Sequence, residues 1–274
     1  MLFATDVFLP SHAMLWSRHR PWFRRVLLAA NVMLPPIALA RLLVPELGGK
    51  WDLLVVLFAV HLLLLLAVLH PRCAWLGPLV LRFRTTKKEV WLTLDDGLDG
   101  ERTLQLSEQL RVRGVCATFF VIGEKVRTQG EVLGALISAG HTLANHTATH
   151  PQMFFWRLGP ARIAAELDGG AQALSEAGVE WRWFRAPVGH KPPALHPALG
   201  KRGWRLIAWT VGGRDGWSND SGAIVRRVLA KVRPGSIVML HESRKYSVEA
   251  VLAVVDALAA AGYKFVIPDD TTLE

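Results

Sequence analysis

The seventeen residues from Leu53 to Leu69 are interrupted by one polar side chain, His61. A run with no polar face cannot pack as an amphipathic helix against a water-soluble core. It is just long enough to cross the hydrocarbon of a bilayer. The run therefore splits the chain into an apolar front and a body that starts near Glu89. A weaker stretch, 26–44, precedes it and carries Asn31, the Pro35-Pro36 pair and Arg41. Between them, Glu46 to Asp52 reads as a tight polar turn. Together these features predict a hydrophobic helical hairpin within a membrane-anchoring region, 1–87.

Charge is distributed in the same uneven way. Of 274 residues, 1–90 hold eleven Lys and Arg against four Asp and Glu, whereas the rest holds twenty-one against nineteen. The basic excess belongs to the front, and the body lacks the basic stripe that a nucleic-acid partner requires. Nucleic acid is therefore excluded as a partner. Arg18, Arg20, Arg24 and Arg25 precede the first stretch; Arg72, Arg82, Arg84, Lys87 and Lys88 follow the second. By the positive-inside rule both flanks lie in the cytoplasm of a bacterial-type inner membrane, and the body with them. The body faces outward instead if 26–44 fails to cross. Two cysteines, Cys73 and Cys116, are too few for a disulfide framework.

From Glu89 onward apolar β-prone runs alternate with helical patterns. Strands are expected at Val90–Asp95, Val115–Ile122, Trp181–Arg185, Leu206–Thr210, Ser236–His241 and Tyr263–Ile267. Helices are expected at Arg102–Arg113, Lys125–Ala139, Pro160–Ala177, Ala194–Gly203, Ser218–Lys231 and Ser247–Ala261, several closed by glycine. Repeated βα units mean a parallel sheet with helices outside it, either a barrel or a doubly wound sheet. In a barrel the chemistry collects where strands end, at the C-terminal rim.

Polar clusters fall at those ends. Trp91-Leu-Thr-Leu-Asp95-Asp96-Gly97 is an apolar strand that stops in two carboxylates. Adjacent strand residues point to opposite faces, so one acid is free to hold a metal while its neighbour takes a proton. His146-Thr-Ala-Thr-His150 supplies two imidazoles, which with one carboxylate make a site for zinc or another first-row divalent ion. Arg185 stands at a strand end before the rigid turn Ala186-Pro-Val-Gly189. Asp215 and Trp217 follow another strand, and Leu240-His241 closes a fifth.

This ordered set resembles the NodB-homology polysaccharide deacetylases, carbohydrate esterase family 4, over about residues 88–268. The resemblance implies an α/β fold, a distorted (β/α) barrel over 88–270 behind the hairpin. It implies that Asp96, His146 and His150 hold a divalent metal, Zn2+ first and Co2+ or Ni2+ as alternatives. Asp95 is then the general base, Arg185 its ion-pair partner, and the Val188 N–H the oxyanion donor. His241 is the general acid, with Asp215 keeping its imidazole charged. Trp217, Pro187 and Leu240 are expected to contact the sugar. Two positions depart from the family pattern: Leu98 replaces a proline and Val188 a common tyrosine, and neither replacement removes a catalytic group, since the Val188 N–H stays in place.

The activity implied is hydrolysis of the N-acetyl group of an N-acetylated sugar. The aromatic run Met153-Phe-Phe-Trp156-Arg157 beside the histidines suits a bilayer interface or a lipid. With the hairpin, it points to a lipid-linked glycan precursor. Alternatives are an outward-facing deacetylase of peptidoglycan or exopolysaccharide, an O-acetyl esterase or deformylase, and a non-catalytic glycan-binding scaffold.

Overall fold

The computed structural model describes residues 19–44 and 50–274. Most of the expected turn at 46–52, and Arg18, lie outside the described residues. The chain divides into two units, residues up to 67 with 73–78, and residues 68–72 with 79–274.

In the first unit, helix α1 spans Pro21–Leu43 and runs through Pro35 and Pro36. Helix α2 spans Lys50–Leu69, with its last two residues in the second unit. Both are long and apolar enough to cross a membrane. Their apolar side chains are largely outward, with Val32 and Phe58 each 70% exposed. Asn31 donates to the Leu27 carbonyl at 2.8 Å and to the Val60 carbonyl on α2 at 3.4 Å. The Asn31 NH2 group thereby bridges the two helices, while its Oδ1 has no hydrogen-bond partner among the described residues.

The second unit is a parallel eight-stranded sheet wrapped by helices. Its strands are β1 (Glu89–Gly97), β2 (Thr118–Val121), β3 (Thr142–Asn145), β4 (Trp183–Phe184), β5 (Arg205–Leu206), β6 (Val211–Gly212), β7 (Ser236–His241) and β8 (Lys264–Phe265). They run in the order β5-β4-β3-β2-β1-β7-β6, with β8 paired to the start of β1. The sheet curls as the expected distorted barrel but its two edge strands do not pair. Instead Val80 bridges to Ile207, Arg82 to Ser236 and Phe83 to Leu273. The helices are α3 (Glu101–Val112), α4 (Gly123–Thr128), α5 (Gly130–Ser138), α6 (Pro160–Glu176), α7 (Leu195–Arg202), α8 (Ser221–Lys231) and α9 (Ser247–Ala260).

Period-two alternation sorts the central strand. Val90, Leu92 and Leu94 pack outward with Leu106, Leu110 and Val251 under the helices, while Trp91 packs inward with Phe120, Trp183 and Ile237. Burial on both faces is why β1 and β7 read as continuous apolar runs. Three expectations change. Thr142–Asn145 is a strand that no run had indicated; it pairs along β2 from Thr118↔Thr142 to Val121↔Asn145. Leu206–Thr210 is not one strand: β5 ends at Leu206, Ile207 bridges to Val80, and the chain rejoins the sheet as β6 at Val211. Lys125–Ala139 is two helices, broken at Gln129 (φ −132°).

Candidate active site

Asp95 continues the inward series of Trp91 and Thr93 and is buried at 4% exposure. Arg185, just beyond β4, is fully buried and donates from Nη1 to Asp95 Oδ1 at 2.6 Å and to Thr93 Oγ1 at 2.9 Å. Its Nε and Nη2 donate to the Ile207 and Ala208 carbonyls at 3.2 Å. The guanidinium lies 3.9 Å above the Phe120 ring centroid. Burial lowers the Arg185 pKa, and the Asp95 charge opposes that. A buried cation held this way is retained only with its carboxylate beside it.

Asp96 would follow Leu94 towards the helices if β1 stayed regular. It has φ +70°, and the β1–β2 register shifts between Asp95 and Gly97. Its carboxylate lies 3.5 Å from His146 Nε2 and 3.2 Å from His150 Nε2. One donor atom from each of the three residues lies within 4.8 Å of the others. Gly97 follows, and a Cβ there would press on the Glu242 carboxylate and displace it.

His146 follows β3, and its Nδ1 bonds the Arg185 carbonyl at 2.8 Å, which leaves Nε2 directed at Asp96. His150 has φ +54°, with its N–H held by Thr147 Oγ1 at 3.0 Å. Glu166 on α6 fixes the loop between them, accepting from the Thr149 N–H at 3.0 Å and hydroxyl at 2.7 Å. Burial, then the neighbouring His146, push the His150 pKa down to about 4. Burial also disfavours the Asp96 anion, but the His146 hydrogen bond and the His146, His150 and His241 fields hold it well below the usual carboxylate range. Neutral imidazole beside an ionised carboxylate is the donor state a divalent cation needs, so these residues fit the expected metal.

Across the rim, His241 ends β7 as the register partner of Asp95. Asp215, 1% exposed, accepts from the His241 backbone N–H at 2.6 Å, and its Oδ1 lies 3.2 Å from His241 Nδ1. Burial opposes charging His241, yet the bond to Asp215, and the Asp215, Asp95 and Asp96 charges, raise its pKa to about 9. Tyr246 secures the loop by donating to the Asp215 carbonyl at 2.9 Å.

Val188 sits in the Pro187–Gly189 turn with φ +55° and its side chain about half exposed. A left-handed β-branched residue is strained, and such strain collects at functional sites. Trp217 is 92% exposed. Two expected sugar contacts do not hold. Leu240 is fully buried, one residue out of phase with His241, and packs in the outer core with Leu94. Pro187 is buried inside its turn.

The geometry also brings in residues the sequence did not single out. Thr93 and Glu166 are hydrogen-bonding supports, and Lys125 donates to the Asp96 carbonyl at 2.7 Å. Glu242 is 1% exposed, and among the described residues neither of its oxygens has a partner in hydrogen-bond geometry. Burial raises its pKa to about 8, which the nearby Thr103 hydroxyl and Lys125 only partly offset.

Residues 83–207 match the polysaccharide deacetylase family. Chitooligosaccharide deacetylase of Bradyrhizobium sp. (strain ANU 289) is 33% identical over 193 residues, 65% of this chain and 87% of the relative. A peptidoglycan-N-acetylglucosamine deacetylase of Bacillus cereus is 28% identical over 66% of this chain and 86% of its own length. Among solved structures, a family 4 carbohydrate esterase from Streptomyces lividans, in complex with acetate, superposes with a TM-score of 0.62 at 28% identity. That match covers 69% of this chain and 97% of the esterase. A family 4 pseudoenzyme from Bacillus anthracis gives a TM-score of 0.63 at 26% identity, covering 68% of this chain and 66% of the pseudoenzyme.

Proposed function

We propose that this chain, which belongs to the polysaccharide deacetylases of carbohydrate esterase family 4, is a membrane-anchored, metal-dependent deacetylase acting on the N-acetyl group of a lipid-linked glycan precursor. One observation carries the reading. Two acid–base groups, Asp95 paired to Arg185 and His241 charged by Asp215, are register partners beside the Asp96-His146-His150 triad.

In this reading Asp96, His146 and His150 hold the cation, Zn2+ first, with Co2+ and Ni2+ as alternatives. When bound, it supplies Lewis-acid polarisation of the acyl carbonyl and acidifies water. Asp95 accepts the proton of the attacking water, oriented by its bond to Arg185. The Val188 N–H donates to the oxygen that becomes anionic as the carbon turns tetrahedral. His241 then protonates the nitrogen as the C–N bond breaks, because an unprotonated amine leaves poorly. Asp215 keeps the imidazolium charged and aimed. The exposed Trp217 ring forms a wall for the sugar.

The division into an anchoring region, 1–87, and a catalytic domain, 88–270, belongs to this reading. The lipid assignment is supported by the two apolar helices and by the loop after His150. There Met153, Phe154 and Trp156 stay exposed at 73%, 51% and 38%, with the Arg157 guanidinium 4.3 Å over the Phe154 ring. Aromatic side chains beside a cation suit the headgroup level of a bilayer. The basic flanks support a cytoplasmic catalytic domain. The Bacillus anthracis neighbour is a pseudoenzyme. Here the triad, Asp95, Arg185 and His241 all meet at one rim, which supports turnover over a scaffold role.

The test is acetate release by the detergent-purified chain, with and without chelator, from lipid-linked N-acetylglucosamine and from free chitooligosaccharide. The expected result is chelator-sensitive release, faster from the lipid-linked sugar. Release from the free oligomer alone would overturn the lipid assignment. No release from either, by protein that retains metal, would overturn the N-acetyl assignment.

A further inference from the structure

Lys191 follows the strained turn and is only 1% exposed. Burying an ammonium is costly unless its donors are satisfied. Its Nζ donates to the Gly189 carbonyl inside the turn at 3.0 Å and to the His70 carbonyl at 2.7 Å. Its backbone N–H donates to the Val68 carbonyl at 2.8 Å. One lysine thus bonds two segments that are 121 residues apart in sequence. Val68 to Arg72 is the stretch in which the chain leaves α2, and Pro71 completes the contact. A Cβ on Gly189 would meet Pro71 Cβ at 2.7 Å and the Trp209 ring at 2.9 Å, so only glycine permits the approach. Trp209 in turn flanks the Arg185 guanidinium, 5.8 Å from its ring centroid.

The strained Val188 therefore lies in a turn clamped on one side by segment 68–72 and joined through Ala186 to Arg185 on the other. A left-handed β-branched residue persists only where its surroundings over-determine it. We propose that Lys191 is a positioning residue for the Val188 N–H. It fastens the segment leaving the apolar helix to the turn that carries the oxyanion donor. The connector is then part of the catalytic scaffold and not a passive tether. This inference rests on the deacetylase reading, in which Val188 supplies that donor.

The test uses the full chain in detergent and three single variants, Lys191→Met, Lys191→Arg and Pro71→Gly, with the double variant Lys191→Met/Pro71→Gly. Acetate release is measured on whichever N-acetylated substrate the wild type turns over, alongside metal content and thermal midpoint. Misplacing a transition-state donor should lower kcat about ten- to a hundredfold in Lys191→Met and Pro71→Gly, with KM and metal content unchanged. Lys191→Arg, which still reaches carbonyls, should recover part of the rate. The double variant should lose no more than the worse single, because both substitutions open one contact.

Wild-type kcat in Lys191→Met would overturn the proposal, as would losses that multiply in the double variant. If Lys191→Met does not fold, an unchanged kcat in Pro71→Gly overturns it equally. Absence of acetate release by the wild type would instead remove the deacetylase reading, and this inference with it.

Discussion

Asp215→Asn isolates the electrostatic part of the acid's task. In the wild type the Asp215 bond and charge outweigh burial and hold His241 at about 9. Asparagine fills the same volume but removes the charge. The imidazole should then titrate near or below its ordinary value of about 6.5. At pH 8 the protonated fraction falls from about nine-tenths to about three-hundredths, a loss of about thirtyfold in acid-competent enzyme. At pH 6 the same calculation gives less than a twofold loss, roughly the ratio of full to three-quarters protonation. The sign is set by the raised pKa: activity that needs the imidazolium is present at low pH and disappears as pH rises through that value. A divalent cation in the site would lower both limbs, so the comparison is of their separation. The assay is the pH profile of kcat for acetate release, wild type against variant, between pH 5.5 and 9.5 at saturating metal. An unmoved basic limb, or an equal loss at pH 6 and pH 8, would refute the assignment of His241 as an acid tuned by Asp215.

Three further outcomes are expected. Asp95→Asn should abolish turnover while metal content persists. It should also lower the thermal midpoint, because a fully buried Arg185 left without its anion costs about 3–5 kcal/mol. His150→Ala should lose metal and activity together, and normal metal stoichiometry in that variant would contradict its role as a ligand. Glu242→Gln concerns stability: the folded-state pKa of about 8 lies above the unfolded value, so the fold binds the extra proton between them. Wild-type stability should fall as pH rises from about 5 to about 8 through this group, and calorimetry of Glu242→Gln should show that slope flattened.

The parts of the fold legible in the sequence are those buried on both faces. Trp91–Asp96 and Ser236–His241 are long apolar runs because helices cover one side of each and the barrel interior the other. Their terminal acids and histidine stand out against that background, which is why the rim was visible. Thr142–Asn145 carries no such pattern: two of its four residues are polar, and its partner β2 supplies its pairing. Alternation showed only that Asp95 and Asp96 need not face the same way. The backbone reversal at Asp96 that turns its carboxylate to the histidines left no mark beyond the following Gly97. Leu240 fails for the opposite reason. It belongs to the motif by proximity, yet period two assigns it to the outer core. Glu166, Glu242 and Lys191 were illegible because their significance lies in partners, or missing partners, far away in sequence.

The unpaired seam between β5 and β6 has a kinetic consequence. It is spanned by backbone bonds from early residues to late ones: Val80 to Leu206, Arg84 to Thr272, and Glu274 to Arg82. Contacts so distant in sequence form slowly, because a long loop must close before they stabilise anything. During synthesis the strip at 80–84 emerges early and waits for partners made nearly 190 residues later. The barrel therefore cannot latch shut until residues 272–274 have been made. Until then its sheet edges stay open to other chains, a hazard that a prior anchorage in the bilayer would lessen by holding each molecule apart.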